Sequence, residues 1–338
     1  MKEQRLNLSD EEKSKLEKIA KSILSNNKGI LATDERASSL EKRFADYQIE
    51  NTEKNRKVFR ESMFKVEGIE KFIGGAILNE ETFDQKDAEG CLLTDCLVKK
   101  NIQVGVKLDK GLATFNESEK ISCGLEDLEA RIQDQKFKTS TFCKWRSLFN
   151  ITKNTPSEKA IEANCDVLAK YGLIAQKNGK VPILEPEISF KGDFTAEEMA
   201  HVAKMIYSTL FLKTSKANLF LNGAILKISF IIQGESCDEK INFQKMGLKN
   251  VQTVAESVPP AIAGVVFLSG GHSSEDSFQL LSNLHKVENK YGITFSFSFA
   301  RALTNCFLEH WRGKPENVSE AQSMFSDVLK LCNRANKG

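Results

Sequence analysis

The stretch VPILEPEI (Val181–Ile188) decides the fold, because it joins an apolar strand pattern to two carboxylates. Glu185 and Glu187 stand two residues apart, and alternate side chains of a strand share a face. Both carboxylates therefore project the same way. One explanation is that the strand ends in water, since charged side chains are seldom buried without partners. The alternative is a polar site at the end of the strand.

Seven other apolar runs of strand length accompany this one, over residues 29–35, 72–81, 104–111, 141–149, 222–232, 263–271 and 293–301. Helical patterns separate most of them. Eight strands alternating with helices predict an α/β protein, a single (β/α)8 TIM barrel with an extra N-terminal helix and C-terminal helices. We expect one domain over residues 1–338. A doubly wound open sheet is the alternative, which is less favoured because no G-x-G-x-x-G follows the first run.

The charge balance excludes several classes of partner. Lys+Arg number 48 against Asp+Glu 46, a net charge of +2 with both signs interspersed, so we expect no nucleic acid or membrane partner.

The sequence opens without a signal-peptide pattern, which predicts a cytoplasmic protein. The eight cysteines lack metal-ligand spacing and are predicted to be free thiols. The four histidines are dispersed, so we expect no metal site.

Polar side chains stand near the end of nearly every apolar run, where (β/α)8 barrels carry their chemistry. They are Asp34 and Glu35, Lys107 and Asp109, Lys144 and Arg146, Glu185 and Glu187, Lys227, Ser269 to Gly271, and Ser298 and Arg301. A single charged pair at a strand end means little. Repeated at this many strands, the pattern predicts a mouth lined with acids and bases that partly neutralise one another.

Lys227 differs from the other charged residues because apolar residues flank it on both sides. One interpretation is a lysine whose ammonium reaches water at the strand end. The other is an amine in a dry site, where desolvation and a second ammonium such as Lys144 favour the neutral nucleophile. Spacing alone leaves both open.

The stretch FLSGGHSSEDS (residues 267–277) predicts an anion site. Gly270 and Gly271 let backbone N–H groups approach a ligand, and a helix start follows. Arg301 falls at the next strand end, where barrels often bind phosphate. A plain glycine turn is the alternative.

Eight ordered segments carry a resemblance to a known family: KGILATDERASSLEKRF, IGGAILNEETFDQ, GVKLDKG, KWRSL, VPILEPEI, GAILK, VPPAIAGVVFLSGG and TFSFSFARAL. Together they resemble class I (Schiff-base) fructose-1,6-bisphosphate aldolase of the eukaryotic type, collinearly from about residue 28. The resemblance implies that Lys227 forms the Schiff base and that Glu185 is the general acid/base. It also implies that Glu187 supports Glu185, and that Lys144 and Asp34 are the flanking catalytic pair.

The resemblance also implies substrate contacts and a biological setting. The implied phosphate and sugar contacts are Ser269, Gly270, Gly271, Ser298 and Arg301, with Arg43, Ser39 and Lys107 toward the other phosphate and Arg146 in the substrate site. The implied enzyme is a lyase of glycolysis. It would cleave fructose 1,6-bisphosphate reversibly to dihydroxyacetone phosphate and glyceraldehyde 3-phosphate. No metal or organic cofactor is implied, and the expected assembly is a cytosolic homotetramer.

The chain departs from the family pattern in four places: Ile228-Ser229-Phe230 for Pro-Asn-Met, Arg36-Ala37-Ser38 for Ser-Thr-Gly, His272 for glutamine, and Ala300 for glycine. No tyrosine follows Tyr291, so a terminal tyrosine is not carried over. Two rival functions stay open, namely a Schiff-base lyase for another phosphosugar and a non-catalytic relative that acts as a binding scaffold. A metal-dependent aldolase is disfavoured by the dispersed histidines.

Overall fold

Eight parallel strands close into a barrel in the computed structural model, which describes residues 6–338. Around the barrel the order is β1-β10-β9-β8-β7-β6-β3-β2. The strands are β1 (Gly29–Thr33), β2 (Ile73–Leu78), β3 (Gln103–Lys107), β6 (Phe142–Phe149), β7 (Val181–Ile188), β8 (Ile225–Ser229), β9 (Gly264–Leu268) and β10 (Phe295–Phe299). A separate antiparallel hairpin pairs β4 (Leu112–Thr114) with β5 (Lys120–Ser122).

Seven of the eight barrel strands fall within the predicted apolar runs, and β3 begins one residue before its run, so the predicted barrel is confirmed and the open sheet is excluded. Residues 1–5 of the predicted domain lie outside the described residues. The helices are α1 (Asp10–Leu24), α2 (Ala37–Ala45), α3 (Glu53–Phe64), α4 (Leu93–Lys99), α5 (Leu128–Ile132), α6 (Glu158–Lys177), α7 (Ala196–Lys216), α8 (Phe243–Ser257), α9 (Ser274–His285), α10 (Arg301–Trp311) and α11 (Val318–Ala335).

The extra N-terminal helix, α1, packs against the starts of the barrel strands. The Ser9 side chain accepts a hydrogen bond from the Glu12 N–H, and the Glu12 carboxylate accepts one from the Ser9 N–H, which satisfies two free donors at the start of the helix. Ile23 and Leu24 of α1 join a buried cluster with interior residues of the barrel such as Phe142. This apolar layer closes the end of the barrel opposite the predicted mouth.

The register of the strands sets the level of the polar side chains. Lys107 of β3 pairs with Lys144 of β6, and Arg146 of β6 pairs with Glu185 of β7. Parallel strands in register bring equivalent positions to the same height along the barrel. The charged residues that end these strands therefore meet at one end, above the apolar layer.

Candidate active site

Four buried side chains form a continuous chain of charges at the mouth of the barrel. Lys144 Nζ on β6 lies 2.8 Å from Asp34 Oδ2, just after β1, and 2.8 Å from Glu185 Oε2 on β7. Lys227 Nζ on β8 lies 3.1 Å from Glu185 Oε1. The order is therefore Asp34, Lys144, Glu185, Lys227, with signs that alternate.

The carboxylates of Asp34 and Glu185 are both held in the ionised form. Burial by itself would raise the pKa of Asp34, but the ammonium groups of Lys144 and Lys227 lower it below its ordinary value. Burial likewise opposes the charge on Glu185, and the same two lysines bring its pKa below the ordinary value. At neutral pH each of these groups is therefore a proton acceptor in the resting site.

The pKa values of Lys144 and Lys107 shift in opposite directions. Burial would lower the pKa of Lys144, but the carboxylates of Asp34 and Glu185 raise it above its ordinary value. Burial and the nearby Lys144 ammonium lower the pKa of Lys107. Lys144 is thus a fixed cation that bridges two acids and is a poor candidate for a nucleophile.

The carboxylates of Glu185 and Glu187 have separate partners. Glu185 is 3% exposed and bridges the two lysines, whereas Glu187 accepts a hydrogen bond from Arg146 Nε. Burial would lower the pKa of Arg146, but Glu187 and Glu185 raise it. The interpretation in which this strand ends in water is therefore wrong. Both glutamates contact side chains of β6, Lys144 and Arg146 respectively. The expected support of Glu185 by Glu187 stays a prediction.

Lys227 is 4% exposed. The interpretation in which its ammonium reaches water at the strand end is therefore also wrong. The group in contact with Nζ is the Glu185 carboxylate, with Lys144 on its far side. The predicted second ammonium is therefore near, but an acid separates the two lysines. An amine and a carboxylate in contact can exchange a proton directly.

The predicted anion site also comes together. Gly270 and Gly271 have φ values of +60° and +109°, which side chains with a Cβ seldom adopt. A Cβ on Gly271 would lie 3.2 Å from Arg301 Nη2, so the guanidinium borders the glycine backbone. The Ser298 Oγ is buried without a hydrogen-bond partner among the described residues. Two helices, α9 and α10, begin beside these groups.

His272, which departs from the family pattern, borders the same glycines. Its ring packs on Phe190, with 4.6 Å between ring centroids. Burial, with a smaller contribution from the Arg301 guanidinium, lowers the pKa of His272. A neutral aromatic ring therefore forms part of the wall beside Arg301.

Arg43, a predicted phosphate contact, is bound to side chains of the protein. Its Nη1 donates to Glu35, and its Nη2 donates to Thr304 Oγ1 and Asn305 Oδ1, each at 2.8 Å. The guanidinium thus ties α2 to α10, and protein side chains occupy both terminal nitrogens. Of the other predicted groups for the distal phosphate, Ser39 is exposed on α2.

Sequence reasoning did not include Arg36 among the site residues. It lines an open cavity of 430 Å³ together with Lys107, Asp109 and Lys110. Arg36 Nη2 donates to the Asp109 carbonyl at 3.0 Å, and the side chain is 42% exposed. The departure from Ser-Thr-Gly at this position was the available signal.

Three further observations concern the cysteines, groups of possible metal ligands and the apolar character of the helices. All eight cysteines are free, as expected. Over residues 6–338, no group of three or more His, Cys, Asp or Glu side chains is placed to hold a metal ion. In the same part of the chain, no helix is both long enough and apolar enough to cross a bilayer.

A buried lysine amine against a carboxylate, inside a (β/α)8 barrel and next to a backbone anion site, defines the class of lyases that act through a lysine Schiff base. The family model of fructose-bisphosphate aldolase class-I matches residues 15–338. This chain belongs to that family.

Relatives and a solved structure agree with the family match. The chain is 45% identical over 317 residues to a fructose-bisphosphate aldolase of Encephalitozoon cuniculi, which covers 94% of each chain. It is 37% identical over 335 residues to human fructose-bisphosphate aldolase B, covering 98% of this chain and 92% of that one. The fructose-bisphosphate aldolase of Plasmodium falciparum superposes with a TM-score of 0.96 at 34% identity, covering 100% of this chain and 98% of the other.

Proposed function

We propose that this chain cleaves fructose 1,6-bisphosphate reversibly to dihydroxyacetone phosphate and glyceraldehyde 3-phosphate, through a Schiff base on Lys227. The observation that carries the proposal is the contact of 3.1 Å between Lys227 Nζ and Glu185 Oε1 within a buried chain of charges. Family membership supports the same reaction.

Lys227 and Glu185 perform the steps at C2 of the ketose. Glu185 accepts the proton that the nitrogen loses before it attacks the carbonyl carbon, and a carbinolamine forms. The same carboxyl then returns a proton to the C2 hydroxyl, which leaves as water. The product is a protonated imine between Lys227 and the substrate. Contact between the two side chains, 3.1 Å from Nζ to Oε1, lets both proton transfers run directly between them.

Asp34 serves the cleavage step. The C4 hydroxyl loses its proton to this carboxylate, the C3–C4 bond breaks, and C4 becomes the aldehyde carbonyl. The electron pair passes to the protonated imine and gives an enamine, which is protonated at C3 and hydrolysed by water to release the ketone. Lys144 holds Asp34 and Glu185 apart as two ionised groups, since its ammonium lies 2.8 Å from each.

Two cationic regions hold the ends of the substrate. The backbone of Gly270 and Gly271, with Ser269, Ser298 and Arg301, takes the phosphate next to the reacting ketone. Lys107 and Arg36 face the distal phosphate across the open cavity. Arg146 orients Glu187 at the wall between them. Ser39 and Arg43 stay candidate contacts, and the terminal nitrogens of Arg43 already donate to protein side chains.

The proposed setting follows from the family. The enzyme is a single-domain cytoplasmic homotetramer of glycolysis that uses no metal, because the Lys227 imine itself serves as the electron sink. Exposed apolar side chains on the outer helices, such as Leu212 on α7 and Leu248 on α8, support burial between subunits. The near-neutral charge supports the absence of a nucleic-acid partner. Sedimentation and an activity assay in EDTA test the assembly and the metal independence.

The deciding experiment is borohydride trapping in the presence of dihydroxyacetone phosphate, followed by peptide mapping. We expect one adduct, on Lys227. An adduct on Lys144 or Lys107 would contradict the assignment. Cleavage of another phosphosugar in preference to fructose 1,6-bisphosphate would favour the rival lyase, and the absence of any adduct would favour the scaffold.

A further inference from the structure

The pairing between β7 and β8 stops short of the catalytic residues. These strands pair at Ile183 with Ile225 and at Leu184 with Leu226, and the pairing ends there. The next positions on the two strands are Glu185 and Lys227. On the other side, β7 pairs with β6 along its full length, up to Ile188 with Phe149. The acid and the nucleophile therefore face each other across an opened seam.

Pro186 explains why the seam opens. Successive backbone groups of a strand point alternately to its two neighbours. The Ile188 N–H points toward β8, as its hydrogen bond shows, so position 186 faces β8 as well. Proline has no N–H and cannot donate in the ladder. The proline between the two glutamates thus removes the bond that would join β7 to β8 at the catalytic level.

Ser229 closes the seam one step further on. Its Oγ donates to the Ile188 carbonyl at 2.7 Å and accepts from the Ile188 N–H at 3.0 Å. Both bonds are buried, and they use the hydroxyl hydrogen and one of its lone pairs. Ser229 lies two residues after Lys227, and Ile188 lies three after Glu185. The Ser229 hydroxyl therefore joins β7 to β8 beyond Glu185 and Lys227, where the backbone hydrogen bonds between the two strands have ended.

We infer that Ser229 is a positioning residue for the reaction, which acts by holding β7 and β8 together so that Glu185 stays within proton-transfer distance of Lys227. The inference rests on the proposed function. Ser229 stands in the segment Ile228-Ser229-Phe230, which the sequence analysis singled out as a departure from the family pattern. The neighbouring seam between β8 and β9 needs no such tie, because its pairing continues through Ser229 and Leu268.

The test compares S229A, S229T and a control variant by their steady-state kinetics with fructose 1,6-bisphosphate. We expect S229A to lose about ten- to a hundredfold in kcat, with KM little changed, because a small misplacement of reacting groups is costly. S229T keeps the hydroxyl and should recover most of that rate. The control is S296A. Its buried Oγ donates to the Lys28 carbonyl at 2.8 Å across the β10–β1 seam, at the end of the barrel away from the mouth.

A second measurement is independent of the aldolase reaction. Brief treatment with acetic anhydride, read by mass spectrometry, should modify Lys227 several times faster in S229A than in the wild type or S296A. Unchanged kcat in a folded S229A, an equal loss of kcat in S296A, or a folded S229T as slow as S229A would overturn the inference. If the wild type does not cleave the sugar, the proposed function fails, and the acetylation rates still decide whether Ser229 holds the pair.

Discussion

The centre around Lys227 and the site around Gly271 are built in different ways. The first consists of buried side chains within strands, and every charge touches an opposite one. The second consists of backbone with positive φ, an exposed arginine and the beginnings of two helices. Under the proposed function, the groups that move protons are therefore fixed by partners. The groups that would receive an external anion include the Ser298 hydroxyl, which has no hydrogen-bond partner among the described residues.

Removal of the nucleophile gives the largest expected effect on the first region. Lys227→Met should fold, since a long apolar side chain suits this buried position, but it should show no turnover and no borohydride adduct. Thermal unfolding checks the fold and peptide mapping checks the adduct. Residual trapping at wild-type level would place the nucleophile elsewhere.

The proton-transfer group comes next. Glu185→Gln keeps the shape but removes the acceptor, so kcat should fall by ~10²–10⁴. Glu187→Gln is the matched control, because it makes the same change two residues along the strand, where the partner is Arg146. A larger loss in Glu187→Gln than in Glu185→Gln would mean that the two roles are reversed.

In the second region the expected effect is smaller and depends on the ligand. Arg301→Lys keeps the charge but loses the two-pronged hydrogen bond, so kcat/KM for phosphorylated substrate should fall by about tenfold. Binding of unphosphorylated dihydroxyacetone should change much less than binding of dihydroxyacetone phosphate. Equal losses for the two ligands would show that Arg301 supports the fold rather than the phosphate.

The smallest expected effect belongs to the open cavity. Arg36→Ala should lower kcat/KM for fructose 1,6-bisphosphate by about three- to tenfold, and that for fructose 1-phosphate hardly at all, since an exposed cation contributes little energy. Lys110→Ala is the control, because its ammonium lines the same cavity but is paired with Asp127. Similar losses in both variants would indicate a general charge effect.

Local patterns in the sequence predicted the barrel and the end at which its polar residues gather, because strand and helix periods are written in neighbouring residues and parallel strands end at the same rim. Spacing alone left the burial of Lys227 open. The resemblance of ordered segments to a family added the reaction. Pro186 and Ser229 can also be read in the sequence, but the sequence does not reveal which neighbouring strand each of them faces.

The tertiary structure alone decided which charges are partners. Glu185 contacts two lysines while Glu187 contacts Arg146, although the two glutamates share a strand face. Arg43 bonds to Thr304 across 261 positions of the chain, a pairing that the sequence around Arg43 does not predict. Such pairings depend on barrel closure and register, which bring together residues that no local pattern relates.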